Sequence, residues 1–247
     1  YYMSSEKPFP SKKDYELADK LASEDKTDLS FIKEYTIDED LCDDLIEFFN
    51  KTPSNVDEPN PWYSKQPGAV GDDRKKSIRP EHKESIDLGF SPFLFDTNTR
   101  VPTKYQHIKH IYDRYLFELH KCTKKYIQEY PRIISEATTF SIKEPTNIQY
   151  YPPGGGFKTY HCERGSEYEP QSSRVLVFMT YLNTVTDEGG THFLHQNKTV
   201  NAVKGKTVIW PCDWPWTHKG IVSTTQEKYI VTGWYNFNNR DNEGRLN

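Results

Sequence analysis

The chain has 247 residues, of which 34% are hydrophobic and 14% aromatic, and its formal net charge is −4. The longest apolar run, Val175–Leu182, has the length of a strand and is too short to cross a bilayer. A chain with this slight acidic excess does not offer the basic surface that binding to nucleic acids or anionic membranes requires. We therefore expect neither a membrane nor a nucleic-acid partner, and the sequence predicts no particular oligomeric state.

The cysteines and the N-terminal residues bear on location in the cell. Cys42, Cys122, Cys162 and Cys212 lie far apart and form no C-x-x-C pair, so neither a disulfide framework nor a structural zinc site fits them. The first 30 residues are charged and lack the apolar stretch of a secretory signal. These features predict reduced thiols in a cytoplasmic protein.

The N-terminal part contains two predicted helices. Residues 1–30 are rich in Lys, Asp, Glu and Ser and are expected to form a polar tail. Apolar residues recur at helical spacing in Ile37–Lys51 and again in Lys104–Tyr130, where Pro131 should end the helix. Residues 52–103 are proline-rich with little periodicity, which predicts a long mobile loop.

After Pro131 the pattern changes to short strands separated by turns. Arg174–Leu182, Thr207–Trp210 and Lys228–Phe237 are the clearest of these runs. Together they predict a mixed α and β fold, in which N-terminal helices pack against a jelly-roll core. We expect a single domain over residues 31–247, with helical support and a mobile loop in 31–130 and the jelly-roll core in 131–247.

A candidate metal site stands in the β-rich half. In an extended chain, His161 and Glu163 point to the same side, and His218 begins a later strand. Two histidines and one carboxylate form the facial triad of non-haem Fe(II) oxygenases. An H-x-E pair is common by chance, however, and a lone histidine is more often a hydrogen-bonded polar residue than a ligand.

Lys228 adds a second feature. If Thr217–Val222 and Lys228–Phe237 form a hairpin centred on Ser223, then His218 and Lys228 face each other. Lys228, Ile230, Thr232 and Trp234 then share one face of the strand, where a buried lysine is costly unless it binds an anion. A metal beside a buried cation suits a ligand that chelates at one end and carries a carboxylate at the other, as 2-oxoglutarate does.

The sequence resembles the prolyl 4-hydroxylase branch of the Fe(II)/2-oxoglutarate dioxygenases, most clearly between Asn147 and Phe237. Each matching piece is weak alone, whereas their order and spacing are specific. The pieces are Tyr151-Pro152-Pro153-Gly154-Gly155-Gly156-Phe157, His161-Cys162-Glu163, Thr180-Tyr181-Leu182-Asn183, Gly189-Gly190, Lys204-Gly205-Lys206, His218, and Lys228 followed by Tyr229-Ile230-Val231-Thr232-Gly233-Trp234.

The resemblance implies a double-stranded β-helix and assigns the site residues. Iron would be held by His161, Glu163 and His218. Lys228 would pair with the distal carboxylate of 2-oxoglutarate. Tyr151 and Tyr181 would donate hydrogen bonds to the co-substrate, and Thr232 and Trp234 would line its pocket, although a tyrosine or tryptophan on a strand is also a common core residue.

The implied activity is hydroxylation of prolyl residues in a peptide or protein, with 2-oxoglutarate and O₂ consumed and succinate and CO₂ formed. Ascorbate is a candidate reductant. Most members of the family carry Asp where this chain has Glu163, and the presence of a carboxylate there argues against a halogenase. Two alternatives stay open: a dioxygenase of the same fold that acts on a free amino acid or another small molecule, and a metal-binding jelly-roll module without turnover.

Overall fold

The structure is a computed structural model that describes residues 28–54, 62–71, 76–95, 100–136 and 139–238, together with the isolated residues 13, 16 and 20. The predicted tail, residues 1–30, thus lies almost entirely outside the described residues. The helices are α1 (Glu39–Lys51), α2 (Gln106–Glu129) and α3 (Arg132–Glu136). The strands are β1 (Lys33–Thr36), β2 (Tyr63–Pro67), β3 (Lys83–Glu84), β4 (Ile86–Phe90), β5 (Phe140–Ser141), β6 (Thr146–Tyr151), β7 (Gly156–Phe157), β8 (Arg174–Tyr181), β9 (Thr191–Phe193), β10 (Lys198–Val200), β11 (Lys206–Pro211), β12 (His218–Gly220) and β13 (Lys228–Phe237).

Both predicted helices are confirmed, within two residues at each end. Helix α1 begins after Asp38, whose side chain accepts a hydrogen bond from the Asp40 backbone N–H, and this cap explains a start two residues later than predicted. Helix α2 ends before Pro131, which has no backbone N–H to continue it. The buried hydroxyl of Tyr115 on α2 lies 3.0 Å from Thr180 Oγ1 on β8 and joins this helix to the sheet.

In the part of the chain that the structure describes, the strands form one large antiparallel sheet and two smaller ones. The large sheet has the order β1-β11-β8-β13-β6-β4-β2, with β5 also beside β13. The smaller sheets are β10-β9-β12 and β3-β7. The fold is therefore mixed α and β, as predicted, and the predicted strands β8, β11 and β13 are the centre of the large sheet.

The two faces of the large sheet bury different partners. On one face, Phe178, Val231 and Tyr235 pack in a hydrophobic cluster with residues of α1 and α2. On the other face, Val177, Met179 and Ile230 belong to a second cluster, which includes Phe193 and Val200 of the sheet β10-β9-β12. The polar residues of this second face surround the cavity described below.

Residues 52–103 differ from the predicted loop. Strands β2 and β4 extend the large sheet beyond β6, so the N-terminal part contributes strands as well as helices. The prediction missed them because Lys65, Asp87 and Gly89 interrupt the alternation of apolar and polar residues that identifies a strand.

The predicted hairpin is wrong. Strand β12 pairs with β9, so that His218 lies opposite Phe193, whereas β13 runs between β8 and β6 and Lys228 lies opposite Tyr151. The intervening polar residues form a connection between two sheets rather than a tight turn. Asp187 Oδ2 accepts hydrogen bonds from the backbone N–H groups of Thr224 and Thr225, which holds this connection in place.

Gly233 on β13 offers a test of the central packing. Its Cα lies opposite that of Phe178, and a Cβ at this position would come within 2.4 Å of the phenyl Cζ atom. We expect Gly233→Ala to lower the free energy of unfolding by about 1–3 kcal/mol because the buried ring has to shift. Urea unfolding measures this. Gly165→Ala is the control, since a Cβ there meets nothing closer than 3.6 Å and stability should barely change.

Among the described residues, no helix combines the length and the apolar character needed to pass through a bilayer.

Candidate metal centre

Three predicted ligand residues meet at the edge of a cavity of about 760 Å³. His161 Nε2 lies 3.3 Å from Glu163 Oε1, and His218 Nε2 lies 3.4 Å from the same oxygen. Although they are 57 residues apart along the chain, the two histidines are held together by their own backbones. The N–H of His161 donates to the carbonyl of His218 at 3.0 Å, and the reverse bond measures 2.9 Å.

Backbone carbonyls set the proton positions on both histidines. His161 Nδ1 lies 3.0 Å from the carbonyl oxygen of Thr159, and His218 Nδ1 lies 2.9 Å from that of Trp216. A carbonyl oxygen only accepts, so each Nδ1 carries the proton and each Nε2 presents a lone pair. This is the usual arrangement of histidines that bind metals.

Charge at the centre follows from burial and these contacts. Burial alone would raise the pKa of Glu163, but its hydrogen bonds and charge interactions with His161 and His218 outweigh burial and hold that pKa well below its usual range. Burial, and then the charge of His161, lower the pKa of His218. At neutral pH, Glu163 is therefore ionised and the His218 imidazole is neutral, which are the states in which these side chains bind a divalent metal.

The second oxygen of Glu163 has different partners. Its Oε2 accepts a hydrogen bond from Trp234 Nε1 at 3.0 Å and faces Arg174 Nη1 at 3.4 Å. The Arg174 guanidinium lies 3.7 Å above the Trp234 ring and pairs with Glu144, whose Oε1 is 2.8 Å from Nε. Thus Oε1 faces the histidines, whereas Oε2 contacts Trp234 and Arg174. The side chain of Glu is one methylene longer than that of Asp, and this length lets the carboxylate contact both groups.

The other predicted site residues line the same cavity: Tyr151, Tyr181, Lys228, Thr232 and Trp234. Lys228 is only 5% exposed, and its Nζ donates to the carbonyl of Gly189 at 2.9 Å. Burial lowers the pKa of this lysine to about 8. Tyr181 OH lies 2.6 Å from Thr191 Oγ1, and Thr232 Oγ1 donates to the carbonyl of Phe178 at 3.2 Å. These contacts place the residues, and their predicted roles stay predictions.

Comparisons with known proteins agree with this geometry. Residues 146–236 match the family model of the 2OG-Fe(II) oxygenase superfamily. A prolyl-4-hydroxylase of Pseudomonas putida has a similar structure, with a TM-score of 0.55 and 16% identity over 90% of this chain and 98% of that one. In fold, the chain is similar to the prolyl 4-hydroxylases of the 2OG-Fe(II) oxygenase superfamily. The resemblance predicted from the sequence is confirmed.

Two further solved structures share the oxygenase fold. A viral collagen prolyl hydroxylase from Paramecium Bursaria Chlorella virus-1, solved as a 2OG complex, has a TM-score of 0.53 and 15% identity over 85% of this chain and 98% of that one. A prolyl hydroxylase from Trichoplax adhaerens, in complex with a peptide fragment of the hypoxia inducible factor oxygen degradation domain, has a TM-score of 0.58 and 12% identity over 91% of each chain. No curated protein sequence matches this one.

Several residues around this candidate site were not predicted. Arg174 faces the Glu163 carboxylate and is itself paired with Glu144, and Phe157 stacks on His161 with ring centroids 3.7 Å apart. Arg174 was visible only as the first residue of an apolar strand, and a charged residue there is a signal for a buried ion pair. Nothing in the sequence near Glu144 indicated that it would reach the same group.

Proposed function

We propose that the protein is an Fe(II)- and 2-oxoglutarate-dependent hydroxylase. The observation that carries the proposal is the convergence of two imidazole Nε2 atoms on Glu163 Oε1, beside the buried ammonium of Lys228. His161, Glu163 and His218 would hold the iron, and the donor set fits this metal, because two neutral nitrogens and one carboxylate oxygen are what non-haem Fe(II) oxygenases use. Glu163 would bind through Oε1 alone, since Oε2 is taken by Trp234.

Lys228 supports the assignment of the co-substrate. An ammonium has three N–H donors, and within the described part of the chain Gly189 takes one of them. The distal carboxylate of 2-oxoglutarate would use the others. Tyr181, Thr232 and Trp234 would form the walls of the co-substrate pocket.

Iron held by these three residues would supply the activation of O₂, one oxygen atom of which would enter succinate as 2-oxoglutarate loses CO₂ and the other the hydroxylated C–H bond. The side chains of this protein do the rest. Lys228 neutralises the carboxylate that enters, the histidines and Glu163 present preset lone pairs, and the burial of Lys228 and His218 reduces the access of water. Ascorbate would serve as the reductant that restores Fe(II).

We propose a prolyl residue of a peptide or protein as the substrate. Support comes from the prolyl hydroxylases among the similar structures, one of which was solved with a peptide bound. The cavity of about 760 Å³ also exceeds what 2-oxoglutarate would fill. We further propose that residues 31–247 act as one domain around a double-stranded β-helix, and that the protein works in the cytoplasm, where its four free cysteines would stay reduced.

The decisive experiment needs no knowledge of the substrate. Fe(II) and then 2-oxoglutarate are added without oxygen, and the weak visible metal-to-ligand charge-transfer band is recorded. We expect a band in the wild-type protein and none in His218→Ala. With oxygen, succinate formation should follow, stimulated by proline-containing peptides. Stimulation by free amino acids alone would favour the small-molecule oxygenase, and a protein that binds metal without the band would favour the non-catalytic module.

The pKa of Lys228 leads to a prediction of pH dependence. Because 2-oxoglutarate is an anion and binds the charged lysine, its affinity should be highest below pH 8 and fall about tenfold per pH unit above that value. The dissociation constant measured from the band between about pH 6 and 9.5 tests this. Lys228→Arg is the control, since a guanidinium stays charged and its affinity should not depend on pH. An equal fall in both proteins would contradict the assignment to Lys228.

A further inference from the structure

A second polar network faces the cavity beside the proposed co-substrate pocket. Asp87 on β4 lies opposite Gln149 on β6 in the sheet, and Tyr151 is two residues further along the same strand. Lys83, which is 5% exposed, forms an ion pair with Asp87. Gln149 Nε2 lies 3.3 Å from Asp87 Oδ2, and Tyr151 OH lies 2.6 Å from Gln149 Oε1. Lys83, Asp87 and Gln149 are not among the candidate metal ligands.

The direction of hydrogen bonding along this network is determined by its first members. The ammonium of Lys83 can only donate, and Ser85 Oγ donates to the other oxygen of Asp87 at 2.7 Å. Asp87 therefore accepts on both oxygens, and Gln149 must direct its NH₂ group towards Asp87. The carbonyl oxygen of Gln149 is then the atom that faces Tyr151, and it can only accept.

Tyr151 has one hydroxyl proton, and Gln149 receives it. The residue is buried, with 3% of its surface exposed, and a hydrogen bond is stronger in such surroundings than in water. We infer that the Lys83–Asp87–Gln149 network commits the Tyr151 proton to Gln149, so that Tyr151 offers only oxygen lone pairs to a ligand and does not donate to the carboxylate of 2-oxoglutarate. This inference rests on the proposed function and revises the role predicted for Tyr151 from the family resemblance.

Residues outside the candidate metal centre thereby orient Tyr151 and influence which ligand groups bind beside it. Asp87 and Gln149 are positioning residues that act through Tyr151. A carboxylate, which only accepts, gains nothing from the Tyr151 oxygen and depends on Lys228. A group that does gain from that oxygen is a donor, such as an N–H or O–H of a ligand. The network thus disfavours an anion against Tyr151 and favours one at Lys228.

A double-mutant cycle without ligand tests the committed proton. Tyr151→Phe and Gln149→Leu are compared singly and together by urea unfolding of the whole chain. If the two side chains share the hydrogen bond, their effects on the free energy of unfolding should not add. The unfolding equilibrium constant of the double variant should be at least threefold smaller than the value that the two single variants predict together. Additive effects would overturn the inference.

Binding of 2-oxoglutarate to the Fe(II) protein without oxygen provides the second arm. We expect Tyr151→Phe to change the dissociation constant less than twofold in the wild-type background. In the Gln149→Leu background, where the proton is released, we expect the same change to weaken binding at least threefold. A loss of tenfold or more from Tyr151→Phe alone would overturn the inference. Coupling in the unfolding cycle without any band in the wild-type protein would instead overturn the proposed function and support the committed proton.

Discussion

Lys228→Met is expected to weaken 2-oxoglutarate binding by about 10- to 150-fold while making the protein more stable. The loss corresponds to a charge-assisted hydrogen bond, worth about 1.5–3 kcal/mol. Met has a similar length and carries neither charge nor donor. The metal site should be unaffected, because His161, Glu163 and His218 make no hydrogen bond to Lys228 within the described residues. The visible band of the anaerobic Fe(II) complex gives the dissociation constant of 2-oxoglutarate for the wild-type protein and for the variant.

The gain in stability comes from the depressed pKa of Lys228. A pKa of about 8 against the ordinary 10.5 means that the folded state disfavours the charged lysine, at a cost of about 3 kcal/mol near neutral pH. This cost is fully present below pH 8 and disappears as the pH rises towards 10.5. We therefore expect Lys228→Met to raise the free energy of unfolding by about 1–3 kcal/mol at pH 7 and by less at pH 10.

Lys219→Met is the matched control for this variant. Lys219 stands on β12 next to His218, is only partly buried, and has its Nζ 4.7 Å from the centre of the Tyr160 ring. Its replacement should leave both the affinity for 2-oxoglutarate and the stability nearly unchanged. If Lys228→Met bound 2-oxoglutarate as tightly as the wild-type protein, the co-substrate would have to bind elsewhere.

Arg174→Met is expected to be the more damaging change for the fold. The Glu144 side chain is 6% exposed and the Arg174 side chain 10%, so removal of the guanidinium leaves an unpaired carboxylate in the interior. The expected loss is about 3–5 kcal/mol of unfolding free energy. The double variant Arg174→Met/Glu144→Gln removes the uncompensated charge and should recover much of that loss. Urea unfolding of the three proteins measures the recovery.

The metal affinity separates a positioning role of Arg174 from a purely structural one. In both variants Glu163 Oε2 loses the guanidinium, and among the described residues Trp234 Nε1 is then its one remaining donor. We therefore expect Co²⁺, used as a spectroscopic probe, to bind about 10- to 100-fold more weakly to each of them. If the double variant recovered its metal affinity together with its stability, Arg174 would matter to the fold alone.

Arg164→Met is the control for the loss of an arginine ion pair. Arg164 Nε donates to Asp213 Oδ1 at 2.8 Å, but the two side chains are 31% and 41% exposed. Such a pair contributes about 1 kcal/mol or less, and the variant should bind Co²⁺ as the wild-type protein does.

Periodicity predicted the elements that bury one regular face. The stripe of Ile108, Tyr112 and Tyr115 in α2 is an example, and so is the strand Lys228–Phe237, whose two faces were assigned correctly. Strands β2 and β4 escaped because a cavity wall needs polar side chains such as Asp87 on a face that is otherwise apolar. A pattern that depends on hydrophobicity cannot find a strand whose inner face serves a ligand.

The site was predicted as far as local spacing reached. His161 and Glu163 share a strand-like segment, and the order of the family motifs placed His218 and Lys228 in one pocket. The hairpin proposed to join them was wrong. It assumed that the two strands pair with each other, whereas the chain passes from one sheet to another between His218 and Lys228. Glu144 and Arg174 could not be paired from the sequence, since 30 residues separate them and their contact depends on the whole sheet.

The reciprocal backbone hydrogen bonds between His161 and His218 make the candidate metal centre preorganised. Because the folded chain alone brings both imidazoles into place and fixes their tautomers, little conformational entropy remains to be lost when an ion enters. The protein should accordingly fold without metal, unlike small zinc domains whose folding depends on their ion. A chelator would then remove the ion reversibly and leave the protein folded. Which metal binds would depend on the ligand side chains rather than on the free energy of folding.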